Sequence, residues 1–214
     1  MTDMPDKQHM EALVRSAVLC RFANQKKYYI PAAVSNRHVH LSREHIDILF
    51  GKDYELCRQK NLSQPGQFAC NEILQMKGTK GSINNLRVLG PSRGDTQIEI
   101  SLTDSFGLGI TPVFRLSGDL AGTPGCLLIG PKGEVNLQKG VIISLRHLHI
   151  SAPQAAAYGL KTGDIVNLKK TGERGIVLNQ VHVRSGEGHE LELHIDTDEA
   201  NAANIRNGDY LEIV

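Results

Sequence analysis

The chain has 214 residues, a formal net charge of +1, 40% hydrophobic and 22% charged residues, which is the composition of an ordinary soluble globular protein. The small net charge and the absence of Trp argue against a dedicated nucleic-acid surface, which requires cationic patches and aromatic stacking platforms. No apolar run approaches the roughly 20 residues that cross a bilayer. The four cysteines form no CxxC pair, so reduced thiols are expected rather than a zinc knuckle or a redox motif.

Residues 1–24 predict an N-terminal amphipathic helix that spans residues 6–22. Its apolar side chains recur at the i, i+3, i+4, i+7 and i+8 positions of a single helix face. Arg15 and the acidic residues of the segment argue against a signal peptide. Two interpretations have equal weight: the helix packs on its own domain or a twin subunit, or it binds in the groove of a partner. The apolar face consists of Met10, Leu13, Val14, Ala17 and Val18.

A short motif containing two histidines occurs twice in the chain. Residues 37–42 are Arg-His-Val-His-Leu-Ser, and residues 146–151 are Arg-His-Leu-His-Ile-Ser. Chance gives roughly 0.4 His-x-His pairs in a chain of this composition, so two pairs in near-identical hexapeptides indicate a repeated structural unit. A third copy is found when residues 148–168 are aligned without a gap on residues 193–213.

Each copy predicts the same succession of elements. A short strand ends at a Ser or Asp suited to capping a helix, a short helix follows, and a turn leads onward, in the second and third copies through Gly-Asp into another strand. Strand, capped helix, turn and strand is a unit that builds small closed barrels with helices at their ends.

The middle of the chain predicts strands and turns. Residues 78–83 and 130–135 each predict a hairpin turn, and residues 97–102 alternate as one strand. The predicted fold class is therefore mainly β with short capping helices, arranged as two small β-barrels plus the N-terminal helix. One barrel is assigned to residues 37–144, and the other to residues 25–36 together with residues 145–214.

The histidine pairs suggest metal binding. Residues i and i+2 of a strand project to the same face, so His38 with His40, and His147 with His149, can each present two imidazoles to one metal ion. Imidazole suits Zn, Co, Ni, Cu or Fe, and three protein ligands leave a position for substrate. A lone His-x-His is more often a structural pair, but two copies beside a third aligned histidine favour a metal site.

Further ligands follow from the alignment. His194 is equivalent to His149, so pseudo-symmetry can bring the two together, and Glu99 is a plausible carboxylate for one site. The other histidines are given structural or surface roles; they are His9, His45, His182 and His189.

Three arginines accompany these motifs. Arg37 and Arg146 precede the histidine pairs, and a structural role is favoured over anion binding. Arg93 lies in a Gly-rich turn before the Glu99 strand, where a guanidinium suits bidentate phosphate recognition. The phosphate-binding and dinucleotide-binding glycine motifs and the nucleophile-elbow motif are all absent from the chain.

The sequence resembles the phosphate propanoyltransferases, which are phosphotransacylases of bacterial microcompartments that process propanediol, ethanolamine or related substrates. The resemblance runs in the same order from about residue 30 almost to the C-terminus. It implies reversible conversion of acyl-CoA and phosphate into acyl phosphate and CoA, on two barrels with the active site between them. The motifs that carry it are residues 35–42, 64–68, 87–91, 97–101, 122–125, 146–149 and 194–201.

The resemblance also implies roles for individual residues. His38, His40 and Glu99 match the ligands of one metal ion, and His147, His149 and His194 match those of a second, with both ions expected to be zinc. Arg93 matches the arginine that contacts phosphate. The positions that match the CoA site are Lys60, Arg87, Leu89 and Asn201, with His194 beside them.

The resemblance further implies a setting in the bacterial cytoplasm, inside a microcompartment into which the N-terminal helix targets the enzyme, and an assembly that is a dimer or a larger homo-oligomer. Because no side-chain nucleophile stands out, direct attack of phosphate on the thioester is favoured over an acyl-enzyme. Two alternatives are a metallohydrolase acting on thioesters or phosphate esters, and a non-catalytic adaptor stabilised by metal. Acyl-chain preference and metal identity are not encoded in any motif of this sequence.

Overall fold

The computed structural model describes residues 27–214 and six residues of the N-terminal segment. Each of these six is helical, and the rest of the helix predicted for residues 6–22 lies outside the described residues. No helix in the described part of the chain is long and apolar enough to cross a membrane. The six residues are Met10, Glu11, Val14, Ala17, Val18 and Arg21.

Residues 27–214 form fifteen strands and four short helices. The elements in chain order are β1 Tyr29–Ser35, β2 His38–Ser42, α1 Arg43–Phe50, β3 Arg58–Asn61, β4 Phe68–Lys77, β5 Ser82–Arg93, β6 Gln97–Glu99, α2 Leu102–Leu108, β7 Phe114–Arg115, β8 Cys126–Ile129, β9 Glu134–Leu137, β10 Val141–Ser144, β11 His147–Ser151, α3 Ala152–Tyr158, β12 Ile165–Lys170, β13 Ile176–Gly186, β14 Glu192–Asp196, α4 Thr197–Ala203 and β15 Tyr210–Ile213.

The strands form two sheets, each with its own hydrophobic core. The first is a closed barrel in the order β1-β14-β11-β13-β12-β15, in which β15 pairs with β1. The second is a nine-stranded half-barrel in the order β7-β10-β6-β2-β5-β4-β8-β9, with β3 paired to β4 outside this path. The prediction of a mainly β fold with two small barrels is confirmed. The chain passes between the two sheets at residues 36–37 and again at residues 145–146.

A strand followed by a short helix, with at most two residues between them, occurs four times in residues 27–214, whereas the sequence predicted three copies. The N-cap side chains of Ser42, Ser101 and Asp196 accept a backbone hydrogen bond, whereas that of Ser151 does not. The fourth copy is β6 with α2, where the prediction of a single strand over residues 97–102 is wrong. The strand ends at Glu99, and the Ser101 side chain accepts a hydrogen bond from the Asp104 backbone N–H at 3.1 Å. In turn, the Asp104 carboxylate accepts a hydrogen bond from the Ser101 backbone N–H. The two bonds form a capping box, which marks the start of the helix.

The two predicted hairpin turns, at residues 78–83 and 130–135, are confirmed as the connections of β4 to β5 and of β8 to β9. The first turn also contacts the end of α2, because the backbone N–H of Lys80 donates to the Leu108 carbonyl at 3.0 Å. A Cβ on Gly78 would lie 2.1 Å from that carbonyl oxygen, so the contact requires glycine. The second turn makes the same contact with the end of α1.

The arginines that precede the histidine pairs have structural partners. Arg37 forms a 3.3 Å ion pair with Asp104, which lies in the first turn of α2. Arg146 forms an ion pair with Glu199, which lies in the first turn of α4. The two ion pairs occupy equivalent places in the repeat, and they agree with the structural role favoured for both arginines. Among the cysteines, Cys57, Cys70 and Cys126 are free thiols, and Cys20 lies outside the described residues.

Candidate active site

The first group of potential metal ligands is built by β2 and β6. These strands pair antiparallel with His38 opposite Glu99 and His40 opposite Gln97. The imidazole centroids of His38 and His40 are 5.1 Å apart, and His38 Nε2 lies 3.8 Å from a Glu99 carboxylate oxygen. His38, His40 and Glu99 are all buried, and their ligand atoms lie within 4.8 Å of one another.

The second group is built in the same way by β11 and β14. His147 lies opposite His194, and His149 lies opposite Glu192. The ring centroid of His194 is 5.1 Å from that of His147 and 4.8 Å from that of His149. His147, His149 and His194 therefore form a second compact triad, as the alignment of the repeats predicted for His149 and His194.

Hydrogen bonds to backbone carbonyls fix the first histidine of each pair. His38 Nδ1 donates to the Asn36 carbonyl and His147 Nδ1 donates to the Leu145 carbonyl, both at 2.8 Å. A carbonyl only accepts, so Nδ1 carries the proton in both rings and the neutral ring has a free lone pair on Nε2. Such a second bond orients most metal-ligating histidines.

The second histidine of each pair presents an unsatisfied nitrogen. Among the described residues, His40 Nδ1 and His149 Nδ1 are the buried side-chain nitrogens without a hydrogen-bond partner. A buried polar atom without a partner is costly, so equivalent orphan atoms at equivalent positions need an explanation. A divalent ion bound by each triad provides one, and the His and Glu donor set fits such an ion.

Burial keeps His40, His147 and His149 neutral at physiological pH. Desolvation, followed by the charge of neighbouring histidines, lowers the pKa of His40 and of His149 to about 2. Desolvation and the neighbouring His194 lower the pKa of His147 to about 4. The neutral imidazole is the form that binds metal, so no proton has to be displaced from these rings near pH 7.

The carboxylate of the first group is charged and lies close to the second group. Desolvation acts to raise the pKa of Glu99, but His38, His147 and Arg93 lower it overall. The influence of His147 on Glu99 and their shared position in one small cavity mean that the two triads adjoin each other.

Two arginines face the same region. Arg93, the last residue of β5, donates to the Ser117 hydroxyl at 3.3 Å, and desolvation lowers its pKa. Arg184 on β13 pairs in register with His149, and its positive charge also lowers the pKa of Arg93. Within the described part of the chain its guanidinium has no hydrogen-bond or ion-pair partner. Sequence reasoning missed Arg184, because nothing in its local sequence distinguishes it from a surface arginine.

Both triads line one cleft of about 1140 Å³ between the two sheets. Lys60, Arg87, Leu89 and His194 also line it; these are four of the five positions predicted to contact CoA. Asn201 lies exposed on α4, outside the residues that line this cleft.

The sequence predicted a structural or surface role for His189, which lies near a polar turn, but the structure places it beside the candidate site. Its ring centroid lies 4.6 Å from that of His149, and its Nδ1 donates to the Arg184 carbonyl at 2.9 Å. His189 therefore lines the cleft beside the second triad.

Known proteins are similar in sequence to this chain over most of its length. A sequence profile described as phosphate propanoyltransferase matches residues 31–206. A phosphate propanoyltransferase from Thermotoga maritima is 51% identical over 191 residues, which cover 89% of this chain and 91% of the relative. The Rhodopseudomonas palustris protein of the same name is 47% identical over 197 residues, which cover 92% of this chain and 87% of the relative. The Priestia megaterium protein of that name is 46% identical over 206 residues, covering 95% and 94%.

These matches make the chain an enzyme of the acyltransferase class. It belongs to the phosphate propanoyltransferase family.

Proposed function

We propose that this enzyme transfers an acyl group between CoA and phosphate, converting propanoyl-CoA or acetyl-CoA and phosphate reversibly into acyl phosphate and CoA. The observation that carries the proposal is one cleft lined by two triads of side chains whose donor atoms suit a metal ion, by Arg93 and by Arg184. The cleft slightly exceeds the usual 300–1,000 Å³ of small-molecule sites, as a substrate of the size of acyl-CoA requires.

Phosphate binds between the two arginines in this proposal. Arg93 and Arg184 place two positive charges at the cleft, and Arg184 has no carboxylate partner among the described residues. A dianion between them relieves the repulsion of the guanidinium groups and accepts their planar N–H donors. Acyl-CoA extends along the other part of the cleft, where the proposed contacts are Lys60, Arg87, Leu89 and His194. Asn201, which lies outside the cleft lining, is proposed to contact the part of CoA that extends beyond the cleft.

The two triads are proposed to hold two divalent ions, zinc being the expected metal. When bound, these ions supply positive charge that polarises the thioester carbonyl and phosphate. The arginines orient a phosphate oxygen towards that carbonyl, and holding both reactants in one cleft contributes several kcal/mol. A carbon–oxygen bond to phosphate forms, the carbon–sulfur bond breaks, and CoA leaves as its thiolate.

Direct attack by phosphate fits the residues of the cleft. No cysteine lines it in the described part of the chain. The Ser63 hydroxyl is engaged with Glu192, and Ser117 accepts hydrogen bonds from Gln97 and Arg93. Ser35 also lines the cleft, and none of the three serine hydroxyls has a hydrogen bond to a histidine of residues 27–214, so a covalent acyl-enzyme is not proposed.

Release of free CoA from propanoyl-CoA tests the proposed reaction. With phosphate present, the purified enzyme is expected to release thiol and form propanoyl phosphate, and without phosphate release is expected to stop. A thiol-reactive dye measures the release, and hydroxylamine trapping measures the acyl phosphate. Release at the same rate without phosphate would instead identify a thioester hydrolase, and no release in either buffer would identify a non-catalytic protein.

The structural division of the chain follows the two sheets in this proposal. Residues 25–36 and 145–214 constitute one domain and residues 37–144 the other, preceded by the N-terminal helix of residues 1–24. The active enzyme is proposed to be a homo-oligomer, a dimer in the simplest case.

The N-terminal segment is proposed to direct the enzyme from the bacterial cytoplasm into a microcompartment. The described residues Met10, Val14 and Val18 are helical, recur at i and i+4, and are about half exposed, at 47%, 59% and 47%. Deletion of residues 1–24 is expected to leave kcat unchanged and to move a fluorescently tagged enzyme from the compartment to the cytoplasm. Unchanged localisation of the truncated enzyme would contradict this role.

A further inference from the structure

The four strand–helix units place a polar pair at the same two positions. In each unit, a His or Glu of a triad lies two residues before the helix N-cap, and a second polar residue lies two residues earlier still. In β2 and β11 this earlier residue is itself a ligand of the triad, His38 and His147. In the two partner strands, β6 and β14, it is Gln97 and Glu192, neither of which belongs to a triad.

Gln97 and Glu192 occupy equivalent positions in the pairing of the strands. Gln97 lies opposite His40 and Glu192 lies opposite His149 in the antiparallel register. Both side chains are buried, with exposed fractions of 2% and 7%. A polar side chain buried to this extent needs partners, and in both cases one partner is the triad member two residues later.

The hydrogen bond between this residue and the triad member runs in opposite directions in the two groups. The Gln97 amide donates to the Glu99 carboxylate at 2.7 Å. In the other group, His194 Nε2 donates to the Glu192 carboxylate at 2.9 Å. A carboxylate ligand accepts and needs a donor beside it, whereas an imidazole ligand donates and needs an acceptor. The residue beside the ligand thus changes from Gln to Glu where the ligand changes from Glu to His.

Each of these two residues is anchored in turn. Gln97 donates to the Ser117 hydroxyl at 2.8 Å and accepts from the Gly118 backbone N–H at 2.7 Å. Glu192 accepts from the Ser63 hydroxyl and from the Gln64 amide. Ser63 and Gln64 lie between β3 and β4 of the half-barrel, whereas Glu192 belongs to the closed barrel. The carboxylate therefore connects the two sheets at the second triad.

We propose that Glu192 is a positioning residue of the second metal group: its carboxylate holds the tautomer and the ring orientation of His194, and Ser63 and Gln64 hold that carboxylate from the other barrel. This inference rests on the proposed function, because it requires that the second triad binds a metal ion. Outer partners of ligating histidines typically contribute 10–100-fold to metal affinity.

Zinc binding by the purified full-length protein tests the inference without any assay of turnover. In Glu192→Gln, one of two bound zinc equivalents is expected to bind 10–100-fold more weakly in competition with a chromophoric chelator, while the other keeps its affinity. Glu187→Gln removes an exposed carboxylate from the same barrel and is the matched control, with both affinities unchanged. Thermal unfolding of the metal-free variants checks that the fold is intact.

Two further variants make the test independent of one substitution. Ser63→Ala leaves Glu192 in place but removes a donor to it, and is expected to weaken the same zinc equivalent by a smaller factor. The double variant His194→Glu with Glu192→Gln gives the second group the arrangement of the first, in which a Gln amide donates to a Glu ligand. It is expected to bind the second equivalent more tightly than His194→Glu alone.

The outcomes separate the inference from the proposed function. Wild-type zinc affinities in both Glu192→Gln and Ser63→Ala overturn the positioning role, as does a double variant weaker than His194→Glu. In these cases the wild-type protein still binds two ions, so the proposed function survives. A wild-type protein that binds no zinc refutes the proposed metal sites themselves.

Discussion

Exhaustive chelation of metal ions is expected to lower phosphate-dependent thiol release about a thousandfold. A bound ion supplies several kcal/mol of charge stabilisation in the transition state, and each 1.36 kcal/mol corresponds to a tenfold change in rate. The proposed reaction centre consists of the two groups of potential metal ligands, which are His38, His40, Glu99 and His147, His149, His194. Adding back stoichiometric zinc should restore the rate, with two equivalents required for full recovery.

The matched control is the same chelator saturated with zinc before it meets the enzyme, which should leave activity intact. Elemental analysis of the stripped protein gives its metal content. Stripped protein that contains no divalent metal and keeps its full rate would remove both triads from the catalytic site.

The second large effect is expected from Arg93→Ala. The half-buried guanidinium lies beside the Glu99 triad, so its loss should lower kcat by about 10²–10³-fold, as for other preorganised donors to developing charge. The phosphate concentration required for half-maximal rate should rise, while the KM for acyl-CoA should change little. Initial rates over a matrix of both substrate concentrations measure these parameters separately.

Two controls accompany Arg93→Ala. Arg115→Ala removes a partly exposed arginine that forms an ion pair with the exposed Asp119, and should leave all parameters unchanged. Arg93→Lys retains the charge but loses the bidentate fork, so an intermediate rate is expected. If Arg93→Ala has wild-type kinetics for phosphate, Arg93 has no place in the phosphate site.

The sequence predicted the parts of the site that repetition reveals. His149 and His194 could be paired from an ungapped alignment because both precede a helix cap by two residues. The fourth unit was missed because Glu99 replaces histidine there and because the alternation of residues 97–102 suggested a longer strand. The spacing of Ser101 and Asp104 was the available signal, since a capping box marks a helix start.

Other parts of the site depend on contacts between distant segments. The Ser63 hydroxyl forms a hydrogen bond with Glu192, which is 129 residues away in the sequence. Arg184 lines the cleft from a strand whose sequence contains no recognisable motif. The local sequence around these residues predicts only their secondary structure. Their convergence depends on how the two sheets pack against each other, which no periodicity in one segment encodes.

The two crossings of the chain between the sheets have a mechanical consequence. Each crossing ends at the first histidine of a triad, and the carbonyls that hold His38 and His147 belong to Asn36 and Leu145 at those same points. Because both connections run within two residues of His38 and His147, a rotation of one sheet against the other would be expected to reorient these two imidazoles directly. The proposed metal groups and the connections between the sheets therefore lie at the same place.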